Sequence, residues 1–307
     1  MRNNRQVRVR IPATTANCGP GFDTLGIACT LYNEVVLELA GPAGQVEISV
    51  SGDGADTLPT NSRNLVLRAV RTVLDKVGET QTGIRLSLVN AIPLSRGLGS
   101  SSAAIVGGLV AANAIVGNRF NQAEILDMAT EMEGHPDNVA PALYGGFTIS
   151  VMAGGQVTCL RLPLPQQLKL VVCIPEFRLS THKARQAIPA MVPHKDAVFN
   201  VSRAALLVGA LASGKLECLG EALNDKLHQP YRASLIPGMP EVFTAGRAAG
   251  ALGVAISGAG PSLMAYTAER PQAVGEAMVA AFAAKQIVSR YLCLDIDYEG
   301  AKVVESA

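Results

Sequence analysis

The segment Ile92-Pro-Leu-Ser-Arg-Gly-Leu-Gly-Ser-Ser-Ser-Ala103 concentrates groups that could bind a reacting anion. It follows an alternating apolar stretch and opens a run of small residues that reads as a helix. Gly97 and Gly99 let the backbone take positive φ and approach a ligand closely. Ser100, Ser101 and Ser102 add hydroxyls and first-turn N–H groups. Those N–H groups lack partners inside the helix, and the helix dipole is positive there. Such a start suits an anion, a polyphosphate above all. The loop matches neither G-x-x-x-x-G-K-[ST] nor G-x-G-x-x-G. A serine-capped helix after a flexible turn is the alternative. Two glycines and three serines between strand and helix favour the phosphate, but the spacing does not identify the ligand.

Other residues offer complementary chemistry. Asp23 lies in a Gly-Pro-Gly-Phe-Asp turn. Asp137 and Asn138 close a Glu-Gly-His-Pro-Asp-Asn block that opens at Glu133, two residues after a second acid, Glu131. Each of these could instead cap backbone or meet solvent, as Asp and Asn in Gly/Pro turns often do. His135 reads as a loop-packing histidine, although its near-neutral pKa leaves a base role open. An isolated arginine is usually a surface charge, so Arg185 and Arg232 are not singled out by type alone.

The elements that must position these groups are legible as periodicity. Strands are expected at Val7–Ile11, Leu31–Leu39, Val46–Val50 and Ile84–Ile92. Helices are expected from Leu65 to Val77, from the serines near 100 to Ile115, and from Gln122 to Met132. A strand pair, Gly146–Val151 and Val157–Leu160, precedes the two-proline segment LRLPLPQQ, which reads as a linker. A strand at Leu168–Ile174 follows, then helices, strands near Val254–Ile256 and Ser262–Tyr266, a helix at Gln272–Lys285 and a closing strand Leu292–Tyr298. This is an α+β pattern with two domains, 1–163 and 164–307, and no internal repeat.

Composition narrows the class. The chain has 307 residues, 49% hydrophobic and 17% charged, with 26 basic against 25 acidic side chains and a net charge of +1. Disorder is excluded by the apolar content. Aromatics are only 4% and there is no Trp, so a basic, ring-lined nucleic-acid groove is not expected. The longest apolar stretch, Ala103–Gly117, is shorter than the about 20 residues of a membrane span. The basic N-terminus lacks an apolar signal region. Six cysteines without a C-x-x-C pair fit reduced thiols in a cytoplasmic protein.

Four segments together resemble one family. Pro93-Leu-Ser-Arg-Gly-Leu-Gly-Ser-Ser-Ser-Ala103 is similar to the phosphate-binding signature of the GHMP kinases (galactokinase, homoserine kinase, mevalonate kinase, phosphomevalonate kinase). Pro12-Ala-Thr-Thr-Ala-Asn-Cys-Gly-Pro-Gly-Phe-Asp-Thr-Leu-Gly26 and Glu133-Gly-His-Pro-Asp-Asn-Val-Ala-Pro-Ala142 resemble homoserine kinases. Ile256-Ser-Gly-Ala-Gly-Pro-Ser-Leu263 resembles the third superfamily motif. The four stand in family order.

The resemblance implies a ribosomal S5 domain 2-like N-terminal domain and a ferredoxin-like C-terminal one. It implies transfer of the γ-phosphoryl of ATP to the side-chain hydroxyl of L-homoserine, a step toward threonine. ATP would lie on Pro93, Leu94, Ser95, Arg96, Gly97, Leu98, Gly99, Ser100, Ser101, Ser102 and Ala103, with Gly258 and Gly260 shaping the pocket and Asn64 toward the adenine. Mg2+ would take Ser101 and one Glu, with Glu133 preferred over Glu131 because it belongs to the family block. Homoserine would be bound by Asn17, Asp23, Asp137, Asn138, Arg185 and Arg232. Asn138 would orient the attacking hydroxyl, and Asp137 would take its proton or hold the ammonium. A homodimer is the family expectation, and no nucleic-acid or membrane partner is expected. Two alternatives are a mevalonate-type kinase and a non-catalytic sensor on the same scaffold.

Overall fold

The computed structural model describes residues 5–80 and 82–306; the first four residues of the basic N-terminal stretch lie outside it. The elements in chain order are β1 (Arg5–Ala16), β2 (Leu25–Leu39), β3 (Val46–Gly52), α1 (Leu65–Val77), β4 (Ile84–Asn90), α2 (Ser100–Ile115), α3 (Gln122–Glu133), α4 (Pro136–Tyr144), β5 (Phe147–Ala153) and β6 (Gln156–Leu162). They continue as β7 (Lys169–Pro175), α5 (Thr181–Gln186), α6 (His194–Ser213), α7 (Leu219–Ala222), α8 (Gln229–Arg232), α9 (Met239–Ala248), β8 (Gly253–Ile256), β9 (Leu263–Thr267), α10 (Pro271–Ala283), β10 (Ser289–Leu294) and β11 (Lys302–Ser306).

Two sheets organise the molecule. The first has seven strands in the order β11-β1-β2-β4-β3, with β5 joined to β2 and β6 to β5. Its one parallel pair is β3 with β4. Alternating burial along β1 and β2 turns Val7, Val9, Val35 and Leu37 toward the helices, the period-two pattern of a sheet with one covered face. The second sheet has four strands in the order β10-β7-β9-β8, all antiparallel. With α10 between β9 and β10, this is the ferredoxin-like half.

Three features depart from the periodicity. β1 extends to Ala16 and β2 starts at Leu25, so β1 carries Thr14 and ends next to Asn17, at the entry to the Gly-Pro-Gly-Phe-Asp turn. The His-Pro-Asp-Asn block, expected as a turn, opens α4: His135 is extended (φ −157°, ψ 147°) and Pro136 stands at the first helical position, where a missing N–H costs nothing. Asp137 in that first turn also complements the dipole. The closing strand ends at Leu294, and residues 302–306, expected with the second half, pair antiparallel with β1 of the first sheet. That pairing covers an otherwise open edge.

The central helix α2 has no polar face: twelve of its sixteen residues are buried. A helix apolar all round belongs in a core. The 95–102 loop is thereby attached to a helix packed within the core. By length and composition α6 could cross a membrane, and 22% of that window is buried inside the protein. Its polar residues are used within the protein. Asn200 donates to the Pro20 carbonyl (2.7 Å), Asp196 pairs with Lys226 (3.1 Å) and Arg203 pairs with Glu221.

Candidate active site

One cavity lies between the two sheets. It is lined from the first half by Asn17, Asp23, the 95–102 loop, Glu133, His135, Asp137 and Asn138, and from the second by Thr181, Arg185, Arg232, Gly258 and Ala259. Its end at the 97–102 loop is built from backbone. Gly99 caps α2 at φ 69° without a side-chain cap, so the first N–H groups of α2 stay open to a ligand. A Cβ on Gly99 would lie 1.9 Å from the Thr14 hydroxyl, and one on Gly97 2.1 Å from the Ser257 carbonyl. Only glycine fits at either point. The Ser257 hydroxyl donates to the Gly97 carbonyl (2.6 Å), which ties the third motif to the phosphate loop.

Glu133 meets this loop from α3. The Ser101 hydroxyl donates to Oε2 and the Ser102 hydroxyl to Oε1, both at 2.9 Å. This all-oxygen set beside an anion site fits Mg2+, which takes one or two protein oxygens and keeps several waters. Glu131 instead faces a separate cavity with Lys76, Phe120 and Met152.

The other end carries charge of both signs. Arg185 donates from both terminal nitrogens to Asp23, Nη1 to Oδ2 at 2.9 Å and Nη2 to Oδ1 at 2.6 Å. Asp23, His135 and Asp137 bring one ligand atom each within 4.8 Å of one another, a spacing that lets an ammonium sit between two carboxylates. His135 Nδ1 is 2.5 Å from Asp137 Oδ1. Burial works to lower the His135 pKa, but the Asp137 hydrogen bond and charge outweigh it and hold the imidazole above its ordinary value. The Thr14 hydroxyl donates to Asn138 Oδ1 (2.7 Å), which turns the Asn138 amide nitrogen away from Thr14 and toward Asp137 Oδ1, 3.4 Å off.

Arg232 is 1% exposed. Burial, and then the neighbouring Arg185 charge, lower its pKa to about 10. It is therefore still a cation at neutral pH. Arg185 and Arg232 each place their guanidinium carbon 5.5 Å from the centroid of the Phe22 ring. The arginines thus converge on one aromatic platform. Backbone strain gathers here too: Asn17, Asp23 and Ser95 all have positive φ (68°, 55° and 55°) and all line the cavity, as strained residues at functional sites do.

The remaining expected residues divide between this cavity, a neighbouring one and the core. Asn64 and Leu94 line a more apolar cavity beside the loop, which shares Ser95, Ser100 and Ser101 with the first. Asn64 also caps α1 through Val66 and Leu67 N–H. Pro93 and Arg96 border the main cavity, but Arg96 donates to the Leu94 and Glu176 carbonyls and so points away from the α2 start. Ala103 is fully buried in the core. Gly260 faces Ile236 and Ile256 rather than the cavity. Leu98 is buried, and its carbonyl accepts from Thr14 N–H (3.1 Å). Sequence reasoning missed Thr14, Phe22, Thr181 and His228. Phe22 and Thr14 stood inside a quoted motif, but nothing local says that a ring will lie under two distant arginines.

The first half supplies the uncapped α2 start and the second supplies Arg185 and Arg232, and this pairing of domains defines a class. The GHMP kinases N terminal domain model matches residues 64–146, and the GHMP kinases C terminal model matches residues 207–284. The homoserine kinase of Moorella thermoacetica is 51% identical over 91% of this chain and 93% of its own. That of Carboxydothermus hydrogenoformans is 49% identical over 90% of both. The crystal structure of homoserine kinase from Cytophaga hutchinsonii superposes with a TM-score of 0.90 at 34% identity, covering 97% of each chain. The chain belongs to the homoserine kinase family of the GHMP kinases.

Proposed function

We propose that this chain transfers the γ-phosphoryl of ATP to the side-chain hydroxyl of L-homoserine, giving O-phospho-L-homoserine for threonine synthesis. One observation carries the reading: two carboxylates, Asp23 and Asp137, and two guanidiniums, Arg185 and Arg232, share a cavity with the open α2 start. A zwitterionic amino acid complements that set, and a polyphosphate complements the helix start.

The triphosphate lies on the 97–102 loop, with the adenine in the neighbouring apolar cavity that Asn64 and Leu94 line. Mg2+ would be held by Glu133 and Ser101 and would neutralise phosphate charge. The homoserine ammonium enters between Asp23 and Asp137, and its carboxylate takes donors from Arg185 and Arg232. Entry loosens the Asp23–Arg185 pair, so each partner exchanges one ion pair for another. The Asn138 amide donates to the acceptor hydroxyl and aims its lone pair at phosphorus. As the new O–P bond forms and the bond from phosphorus to ADP breaks, the hydroxyl proton passes to the Asp137 carboxylate. A loose phosphoryl-transfer transition state needs positioning more than a strong base.

The family also suggests a homodimer, and six free cysteines fit a cytoplasmic setting. ADP release with homoserine, threonine, serine and mevalonate tests the assignment. Homoserine is expected to be preferred; no turnover of homoserine would overturn it.

A further inference from the structure

His228 has no part in the chemistry above, yet it is fully buried beside Arg232. Its Nε2 lies 2.7 Å from the Gly19 carbonyl. A carbonyl only accepts, so Nε2 carries the ring proton. Its Nδ1 lies 3.1 Å from Arg232 Nη1, and a guanidinium only donates. Nδ1 must therefore be the lone-pair acceptor, and the ring is neutral. An imidazolium would set two donors face to face. Asp225 Oδ2 stands 3.5 Å from Nε2, but that oxygen already accepts from His228 and Gln229 N–H (3.0 and 2.6 Å).

The other Arg232 bonds complete a clamp. Nη1 also donates to the Gly258 carbonyl (3.0 Å), and Nε donates to the Ala184 carbonyl (3.3 Å). Nη2 alone has no hydrogen-bond partner among the described residues. The ring stacks on Phe22, centroids 5.2 Å apart, and Phe22 lies under both arginines.

We propose that His228 is a positioning residue for substrate recognition: by accepting from Arg232 Nη1 while donating to Gly19, it fixes the guanidinium so that Nη2 alone reaches the amino-acid carboxylate. This rests on the homoserine kinase reading. Two halves of the ring's job can be separated. In His228→Asn, the amide oxygen overlays Nδ1 and keeps the acceptor for Arg232. In His228→Gln, the longer amide overlays Nε2 and keeps only the Gly19 contact.

The test is steady-state kinetics on the full chain, with homoserine and ATP varied in turn. His228→Ala and His228→Gln are expected to raise the homoserine KM about tenfold to a hundredfold, the range for losing a hydrogen bond to a charged group. The ATP KM should stay within about twofold. His228→Asn is expected to recover most of the homoserine KM. Equal losses in Asn and Gln, or parallel rises in both KM values, would overturn the proposal. A second readout needs no variant enzyme activity: 15N spectra of histidine-labelled wild type, with His228 assigned by its absence in a variant, should show a neutral ring protonated on Nε2. The opposite tautomer or an imidazolium would overturn it. A wild type that turns over no homoserine defeats the parent reading, and the substrate role of His228 with it, whatever the spectra show.

Discussion

The two ends of the cavity are made differently. The end proposed for the phosphates is contiguous: Gly97 to Ser102 supply backbone N–H groups and small hydroxyls, and Gly99 is held where any Cβ would strike Thr14 at 1.9 Å. The amino-acid end is assembled from Asp23, Asp137, Arg185 and Arg232, four separate segments of both halves. The first is a shape, preformed by the buried α2. The second is a charge arrangement in which Asp23 and Arg185 already satisfy each other. A shape is broken by adding an atom, whereas a charge arrangement is broken by removing one. Losses at the two ends should also appear in different constants.

The largest effect is expected at the reacting hydroxyl. Asp137→Asn should lower kcat about 100-fold or more, with ATP binding unchanged, as single-turnover and binding measurements would read. A rise in homoserine KM alone would make Asp137 a uniform binder. Arg232→Lys removes a planar donor set and should raise the homoserine KM about tenfold to a hundredfold while sparing the ATP KM. At the opposite end, Gly99→Ala should weaken ATP about tenfold and cost about 1–3 kcal/mol of stability, seen by nucleotide titration and denaturant melts. Equal changes in both substrates' constants for either variant would erase the distinction between the ends.

The smallest effect concerns pH. His135 is raised above its ordinary value in the folded chain. Its contribution to stability is therefore complete below the unfolded histidine value of about 6.5 and disappears as pH rises through the folded value. The Tm gap between wild type and His135→Gln should be about 2 °C near pH 5.5 and should shrink as pH rises above the ordinary histidine value. A gap that widens with pH would show that Asp137 does not hold a charged His135.

These contrasts explain what the residues alone disclosed. The geometry of the α2 start was legible because it lies in one stretch of glycine and serine, whose backbone consequences are local. The strand and helix cores followed from periodicity, with α1 and α2 ending where Leu65–Val77 and Ile115 indicated. α4 was hidden because Pro136, Pro141 and Gly145 crowd a nine-residue helix, a composition that reads as a turn. β11 was hidden because its partner is β1, almost the whole chain away, and pairing across that distance leaves no local mark. The Asp23–Arg185 bond, the Phe22 platform and the His228 contact are all tertiary. Even with motif resemblance, Arg185 and Arg232 read as two free forks, whereas Arg185 is occupied by Asp23 and Arg232 is tied down at Nε and Nη1.

In the proposed reaction, opposed pairs of carboxylates and guanidiniums select a zwitterion beside the triphosphate. The most direct measurement is kcat/KM for L-homoserine against 4-hydroxybutanoate, which lacks the ammonium, and 3-aminopropan-1-ol, which lacks the carboxylate. Each deletion leaves buried or paired charges without a partner, so each analogue should fall by at least about 100-fold. Phosphorylation of either at a rate close to that of homoserine would contradict the account.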